Sequence, residues 1–203
     1  DRGYSVVIQA NGQIVVSGTS KVGAFGEYNV ALNRYSSTGG LDTSFDPVNT
    51  LDGTPTYTEG GAAVVLDANV QIIDAELGAA NNFNGSTLTL TRNGGANSQD
   101  VFTATGTLSL SGGNVVIGGT TIGTYTNSGG TLVFTFNSNA TNALVNSAMQ
   151  QIAYSNSSDA PPSSVQIDWT FNDGNTGSQG TGGSLTATGS VTVNITAVNN
   201  VPT

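Results

Sequence analysis

Apolar and polar residues alternate along this chain with a period near two, in short runs cut by glycine- and asparagine-rich turns. That alternation is the pattern of half-buried antiparallel strands. Ser5-Val6-Val7-Ile8-Gln9 predicts a first strand, Ala10-Asn11-Gly12 a turn, and Gln13-Ile14-Val15-Val16-Ser17-Gly18 a returning strand. Asn-Gly is a strong two-residue hairpin signal because both residues tolerate positive φ. Tyr28 to Tyr35 alternates and gives a third strand, followed by a turn over Ser36 to Gly40 and the run Leu41-Asp42-Thr43-Ser44-Phe45. Residues 1–45 therefore predict a small three-stranded antiparallel β segment.

From Leu51 onward the rhythm is denser. Strands are predicted near 62–66, 70–73, 86–91, 99–104, 107–110, 115–124, 131–136, 165–171 and 184–196. Asn93-Gly94-Gly95, Ser111-Gly112-Gly113, Ser128-Gly129-Gly130 and Asp173-Gly174-Asn175 supply turns. Frequent short strands of this kind predict a β-sandwich. One segment differs: Leu144, Ala148 and Ile152 fall four apart, with Thr141 or Asn139 as N-cap. It predicts one short amphipathic helix laid across a sandwich end. The organisation expected is all-β: a segment over 1–45, a linker over 46–56, a sandwich over 57–198 and an exit linker over 199–203.

Composition sharpens this picture. Charged residues make up 8% of the 203 residues, against about 25% in ordinary soluble domains. Twenty-eight glycines, with abundant Thr, Ser and Asn, provide the polar surface instead. The blend suits long secreted bacterial β-proteins and is poor for helices. The net charge is −9, with Arg2, Lys21, Arg34 and Arg92 the only cations. Such a surface repels phosphate backbones, so nucleic acid is not expected as a partner, while divalent cations are compatible with it. Without cysteine there is neither disulfide framework nor cysteine-ligated zinc. No apolar stretch is long enough to span a membrane as a helix. The chain starts at Asp1-Arg2-Gly3-Tyr4 with no signal peptide, as expected of a processed or excised fragment.

Two resemblances follow from particular runs. "SVVIQANGQIVVSGTS…YNVALNRYSSTGGLDTSF" resembles the delta-60 repeat of bacterial surface proteins, whose units occur in tandem in propeller-like sheets. Only one copy is present here, and a lone blade cannot bury its apolar faces. Either a longer array has been cut, or the segment is completed by a neighbouring subunit, for instance by β-strand addition. The runs "TPTYTEGGAAVVLDANVQIIDAEL", "LTLTRNGGANSQDVF", "ALVNSAMQQIAYSN", "VQIDWTFNDGN" and "GSVTVNITAVNNVPT" resemble the bacterial cadherin-like repeats of large secreted adhesins. That resemblance implies an extracellular Greek-key β-sandwich, repeated in series for adhesion or spacing, with calcium at module junctions.

Candidate calcium ligands are Glu59 after the incoming linker, Asp74 and Glu76, Asp173 in a glycine-containing turn, and Asn199 and Asn200 in the exit linker. Asp74 and Glu76, two apart, would share one face of a strand. The family carries an Asn-Asp pair where this chain has Asn199-Asn200, which removes one charge. Calcium needs six to eight oxygen ligands, and the opposing reading is solvated loop acids.

Other features carry less. Lys21, the only lysine, reads as a solvated loop residue. Trp169 alternates with Ile167 and Phe171 and marks a core strand. The sequons at Asn84, Asn139, Asn156 and Asn194 arise readily in so Asn- and Thr-rich a chain. The absence of His and Cys excludes Ser-His-Asp, Cys-His and zinc-hydrolase chemistry. A carboxylate pair such as Asp168 and Asp173 is the residual catalytic possibility, and no enzyme is expected. The expected role is a structural, adhesive subunit or repeat of a bacterial surface fibre or giant adhesin, partnered by copies of itself or adjacent modules. The alternative is a carbohydrate- or ligand-binding sandwich that contacts surface glycans.

Overall fold

The alternating runs of the first forty residues fold as strands β1 (Arg2–Ile8), β2 (Ile14–Val22) and β3 (Glu27–Tyr35). They form an antiparallel sheet in the order β1-β2-β3. The computed structural model describes residues 2–22, 27–40, 50–177, 179 and 182–199, and its contacts divide the chain into a first unit of residues 1–49 and a second of residues 50–203. In the β1–β2 turn the Gly12 N–H donates to the Gln9 carbonyl at 2.9 Å, and the Asn11 side chain accepts from Gln13 N–H at 3.1 Å. Gly12 has φ 83° while Asn11 stays at negative φ. The turn falls on Ala10-Asn11-Gly12 as predicted, a three-residue loop in which the glycine and not the asparagine is left-handed. Lys21 lies within β2, opposite Tyr28, where a loop was predicted.

Directly opposed residues of an antiparallel pair share a face. Val6↔Val16 and Ile8↔Ile14, extended by Val16↔Asn33 and Ile14↔Tyr35, set an apolar face on this sheet. Val7↔Val15 and Val15↔Arg34 belong to the other. None of residues 5–18 and 33–40 is buried, and Val6, Val7 and Ile8 are 62%, 58% and 71% exposed.

The second unit has a core of its own. Its elements are β4 (Thr56–Thr58), β5 (Val64–Val65), α1 (Ala75–Ala80), β6 (Thr87–Arg92), β7 (Asp100–Ala104), β8 (Leu108–Ser111) and β9 (Asn114–Ile117). They continue with β10 (Thr120–Ser128), β11 (Thr131–Phe136), α2 (Asn142–Met149), β12 (Ile152–Asn156), β13 (Ser164–Asn172) and β14 (Thr186–Thr196). An eight-stranded sheet runs β4-β14-β13-β6-β11-β10-β9-β8, and a three-stranded sheet β5-β12-β7. The large sheet is mixed, because β4 runs parallel to β14 while its other pairs are antiparallel. Alternation on β13 buries Val165, Ile167, Trp169 and Phe171. These join Phe102, Ile152 and Tyr154 of the small sheet in one sandwich-like core. Tyr57 of β4 meets Tyr154 of β12 edge-on, with ring centroids 6.3 Å apart.

Several predicted elements are corrected. Residues 115–124 are not one strand: Gly118 and Gly119, at φ 56° and 86°, turn the chain back between β9 and β10, a reversal that β-carbons would resist. Residues 70–73 form no strand. Ile72 N–H donates to the Asn146 side chain at 2.9 Å, and Gln150 Nε2 donates to the Val70 carbonyl at 3.0 Å, so side chains of α2 and its C-cap replace a strand partner. Two helices stand where one was predicted, and β4 and β12 are additional strands. In α2 Thr141 is the N-cap, but the buried stripe is Val145, Ala148 and Met149. Ile152 falls outside it because the helix ends at Met149 and Ile152 opens β12.

One polar network joins the two sheets inside the core. Asp100 on β7, with no exposed side-chain surface, accepts from Arg92 Nε at 2.7 Å and Arg92 Nη2 at 2.6 Å. Tyr154 Oη also donates to it at 2.6 Å, and Asn156 Nδ2 at 3.1 Å. Tyr57 Oη closes the circuit at the Asn156 carbonyl, 3.1 Å away. Burial, then the bond to Asp100, pushes the Tyr154 hydroxyl well above the usual tyrosine value. The bond to Asp100 likewise raises the Arg92 guanidinium. Asp100→Ala strands Arg92 and two buried donors, so urea denaturation should show a loss of about 3–5 kcal/mol. A loss below about 1 kcal/mol would mean the circuit is dispensable.

Candidate functional site

The predicted ligands gather at two ends of the second unit. Glu59 lies just beyond β4: its N–H donates to the Thr196 carbonyl at 3.0 Å, and its Oε2 accepts from Val198 N–H at 2.9 Å. Asn199, exposed, follows directly in the chain. Asn200 lies outside the described residues. At the other end Asp74, Glu76 and Asp173 line a depression of about 190 Å³ with Ile72, Ile73, Phe171, Leu185, Thr186 and Ala187. Asp173 adjoins the first residue of β14 through its N–H bond to the Leu185 carbonyl, whereas Glu59 adjoins the last. Eleven residues of strand separate the two groups, roughly 34 Å at ~3.4 Å per residue.

Local structure explains each placement. Asp74 and Glu76 do not share a strand face. Asp74 is the N-cap of α1, accepting from Leu77 N–H at 2.7 Å, and Glu76 lies exposed in its first turn. Asn81 ends the helix at φ 48°, giving its N–H back to Gly78 and Leu77. Asp173 is buried because it organises its own loop, accepting from Asn175 N–H at 2.9 Å and Leu185 N–H at 3.0 Å. Among the described residues no three or more Asp or Glu gather to hold a metal ion.

Glu76 also borders an open groove of about 620 Å³ with Leu77, Ala79, Asn82, Asn84 and Gln179. Trp169 takes its predicted place in the core, 3% exposed. Asp168, between buried Ile167 and Trp169, lies on the outer face and accepts from Asn93 and Gln166 side chains. Asp173 is buried beyond the end of that strand, so the two carboxylates do not face each other across a cleft. Of the four sequon asparagines Asn156 is buried, while Asn84, Asn139 and Asn194 are exposed.

Two carboxylates that sequence reasoning passed over carry more structure than the predicted ones. Asp100 holds the network described above. Asp67, 2% exposed, accepts from Asp52 N–H at 3.0 Å, Gly53 N–H at 2.7 Å and Asn69 N–H at 3.0 Å. Thr50 Oγ1 accepts from Gln71 N–H at 2.7 Å, so the incoming segment is fastened before β4 begins. Arg92, the only cation in the second unit, was the available clue to Asp100. Nothing local marked Asp67.

No family model, curated protein or solved structure matches the chain. No helix among the described residues is long and apolar enough to cross a membrane.

Asp67→Ala should release residues 50–53 and cost about 1–3 kcal/mol in all. Chemical denaturation reads the loss, and hydrogen exchange at Asp52 and Gly53 should quicken with it. Unchanged exchange there would rule out the fastening role.

Proposed function

We propose that this chain is a structural and adhesive β-protein, a module or subunit of an extracellular bacterial surface fibre or giant adhesin. In this reading the second unit is a Greek-key cadherin-like sandwich that works mechanically and without catalysis. The observation that supports it is the parallel pairing of β4 with β14, the first and last strands of that unit. Parallel neighbours run the same way, so the chain arrives at one end of the pair and leaves from the other. Modules strung in series need their inlet and outlet so placed.

Tension applied through the two ends loads that pair in shear. Asn194 N–H to the Pro55 carbonyl at 2.9 Å, Glu59 N–H to the Thr196 carbonyl at 3.0 Å, and Val198 N–H to Glu59 Oε2 at 2.9 Å would be stretched together. An unzipping geometry would break them one after another. Calcium enters the proposal as a junction ion at either end, with main-chain carbonyls, amides and water completing its shell.

Single-molecule pulling through residues on either side of the second unit should show one abrupt, high-force unfolding step. Glu59→Ala should lower that force while costing about 1 kcal/mol at equilibrium, as befits an exposed bond. Gradual low-force extension would sink the load-bearing reading. Millimolar calcium should raise the melting temperature above that in chelator, and identical melting curves would remove calcium.

A further inference from the structure

Asn-Gly occurs three times in the chain, at Asn11-Gly12, Asn84-Gly85 and Asn93-Gly94. The dipeptide carries its own chemistry. Glycine has no β-carbon, so its backbone nitrogen can approach the asparagine side-chain amide closely. That nitrogen must lose its proton before it attacks, and a glycine N–H already held by a carbonyl is a poor nucleophile. Hydrogen bonding therefore ranks the three sites, and the fold sets the hydrogen bonding.

At two of them the glycine is occupied. Gly12 N–H donates to the Gln9 carbonyl at 2.9 Å, and Gly85 N–H to the Phe136 carbonyl at 3.0 Å. Asn11 is held further, since its side chain bonds both the side chain and the N–H of Gln13, at 2.7 and 3.1 Å. Asn93-Gly94 differs. Gly95 N–H donates to the Arg92 carbonyl at 3.1 Å, which makes Asn93 and Gly94 the central pair of a β-turn. Both are exposed, Gly94 has φ 83°, and its N–H finds no acceptor among the described residues. Open space surrounds the position a Gly94 β-carbon would take, so water has access to the turn. One exposed bond, Nδ2 to Asp168 Oδ2 at 2.8 Å, restrains the Asn93 side chain, and water competes with it.

We propose that Asn93 is a site of spontaneous deamidation, the one Asn-Gly of the three that the fold leaves open. The Gly94 nitrogen attacks Cγ of Asn93, and the new C–N bond closes a succinimide ring. The bond from Cγ to Nδ2 breaks, and ammonia leaves with the proton that the glycine nitrogen gave up. One water then opens the ring at either carbonyl, leaving an aspartate or an isoaspartate. Either product loses the donor that Asp168 accepts from and sets a second negative charge beside it. Like charges so close repel. Isoaspartate also lengthens the main chain by a methylene, next to the Asn93 N–H bond to the Gln166 carbonyl at 2.9 Å that continues the β6–β13 ladder. The strand disturbed is the one whose last residue, Arg92, holds Asp100 in the core.

Peptide mapping by mass spectrometry, on the folded full chain held at mildly alkaline pH, follows conversion at all three sites. Asn93 should convert first, roughly two- to ten-fold faster than Asn11 or Asn84, the factor that one hydrogen bond supplies. In urea the three rates should draw together, because unfolding frees Gly12 and Gly85. Conversion at Asn11 or Asn84 that matches or outpaces Asn93 in the folded chain would overturn the proposal, as would an unchanged ranking in urea. Asn93→Asp reads the consequence apart from the chemistry. It should lower the melting temperature, and Asp168→Asn in the same chain should recover part of the loss. A loss that Asp168→Asn leaves untouched would overturn the clash with Asp168.

Discussion

A carboxylate with no exposed side-chain surface needs a cation and a set of donors, and Asp100 obtains them from both sheets. Arg92 reaches it from β6 in the large sheet, Tyr154 and Asn156 from β12 in the small one, and Tyr57 on β4 ties into Asn156. Buried charge is costly unless fully paired, so the circuit tolerates little displacement of any of these strands. Apolar packing between two sheets is far more permissive of sliding. The edge-on ring contact of Tyr57 with Tyr154 falls on the same strands. The relative position of the two sheets therefore depends on one ion pair and the hydroxyls and amide that surround it.

That anchoring bears on the load path of the proposed mechanical role. Tyr57 lies in β4, the strand that would take an incoming pull in that role, and β14 beside it would carry the outgoing one. The buried circuit connects β4 to the small sheet, and Asp67 fastens the segment ahead of it. The first unit stands in contrast, with none of residues 5–18 and 33–40 buried. Its sheet meets the geometric demands of β-structure, and it leaves Val6, Val7 and Ile8 at the surface.

Legibility in the sequence followed from the range of the interactions involved. Strands with clean alternation and glycine turns, such as β6, β11, β13 and β14, stood close to their predicted bounds. The run at 70–73 looked like a strand because Val70 and Ile72 alternate, yet its partners are amide side chains some seventy-five residues away. Asp74 and Glu76 were placed on a strand because a helix of six residues leaves almost no periodic trace. The six proposed ligands could be named as oxygen donors, but nothing in their spacing told that a whole strand length separates Glu59 from Asp173.

Local chemistry was enough to establish a glycine-turned, histidine- and cysteine-free β-protein with a strongly acidic second part, because alternation, turns and charge are properties of neighbouring residues. Partnership was beyond it. That β4 lies parallel to β14 and that Arg92 finds Asp100 between the sheets are decided by register and pairing. Those depend on how distant segments pack together, and a shift of one residue would reverse every facing.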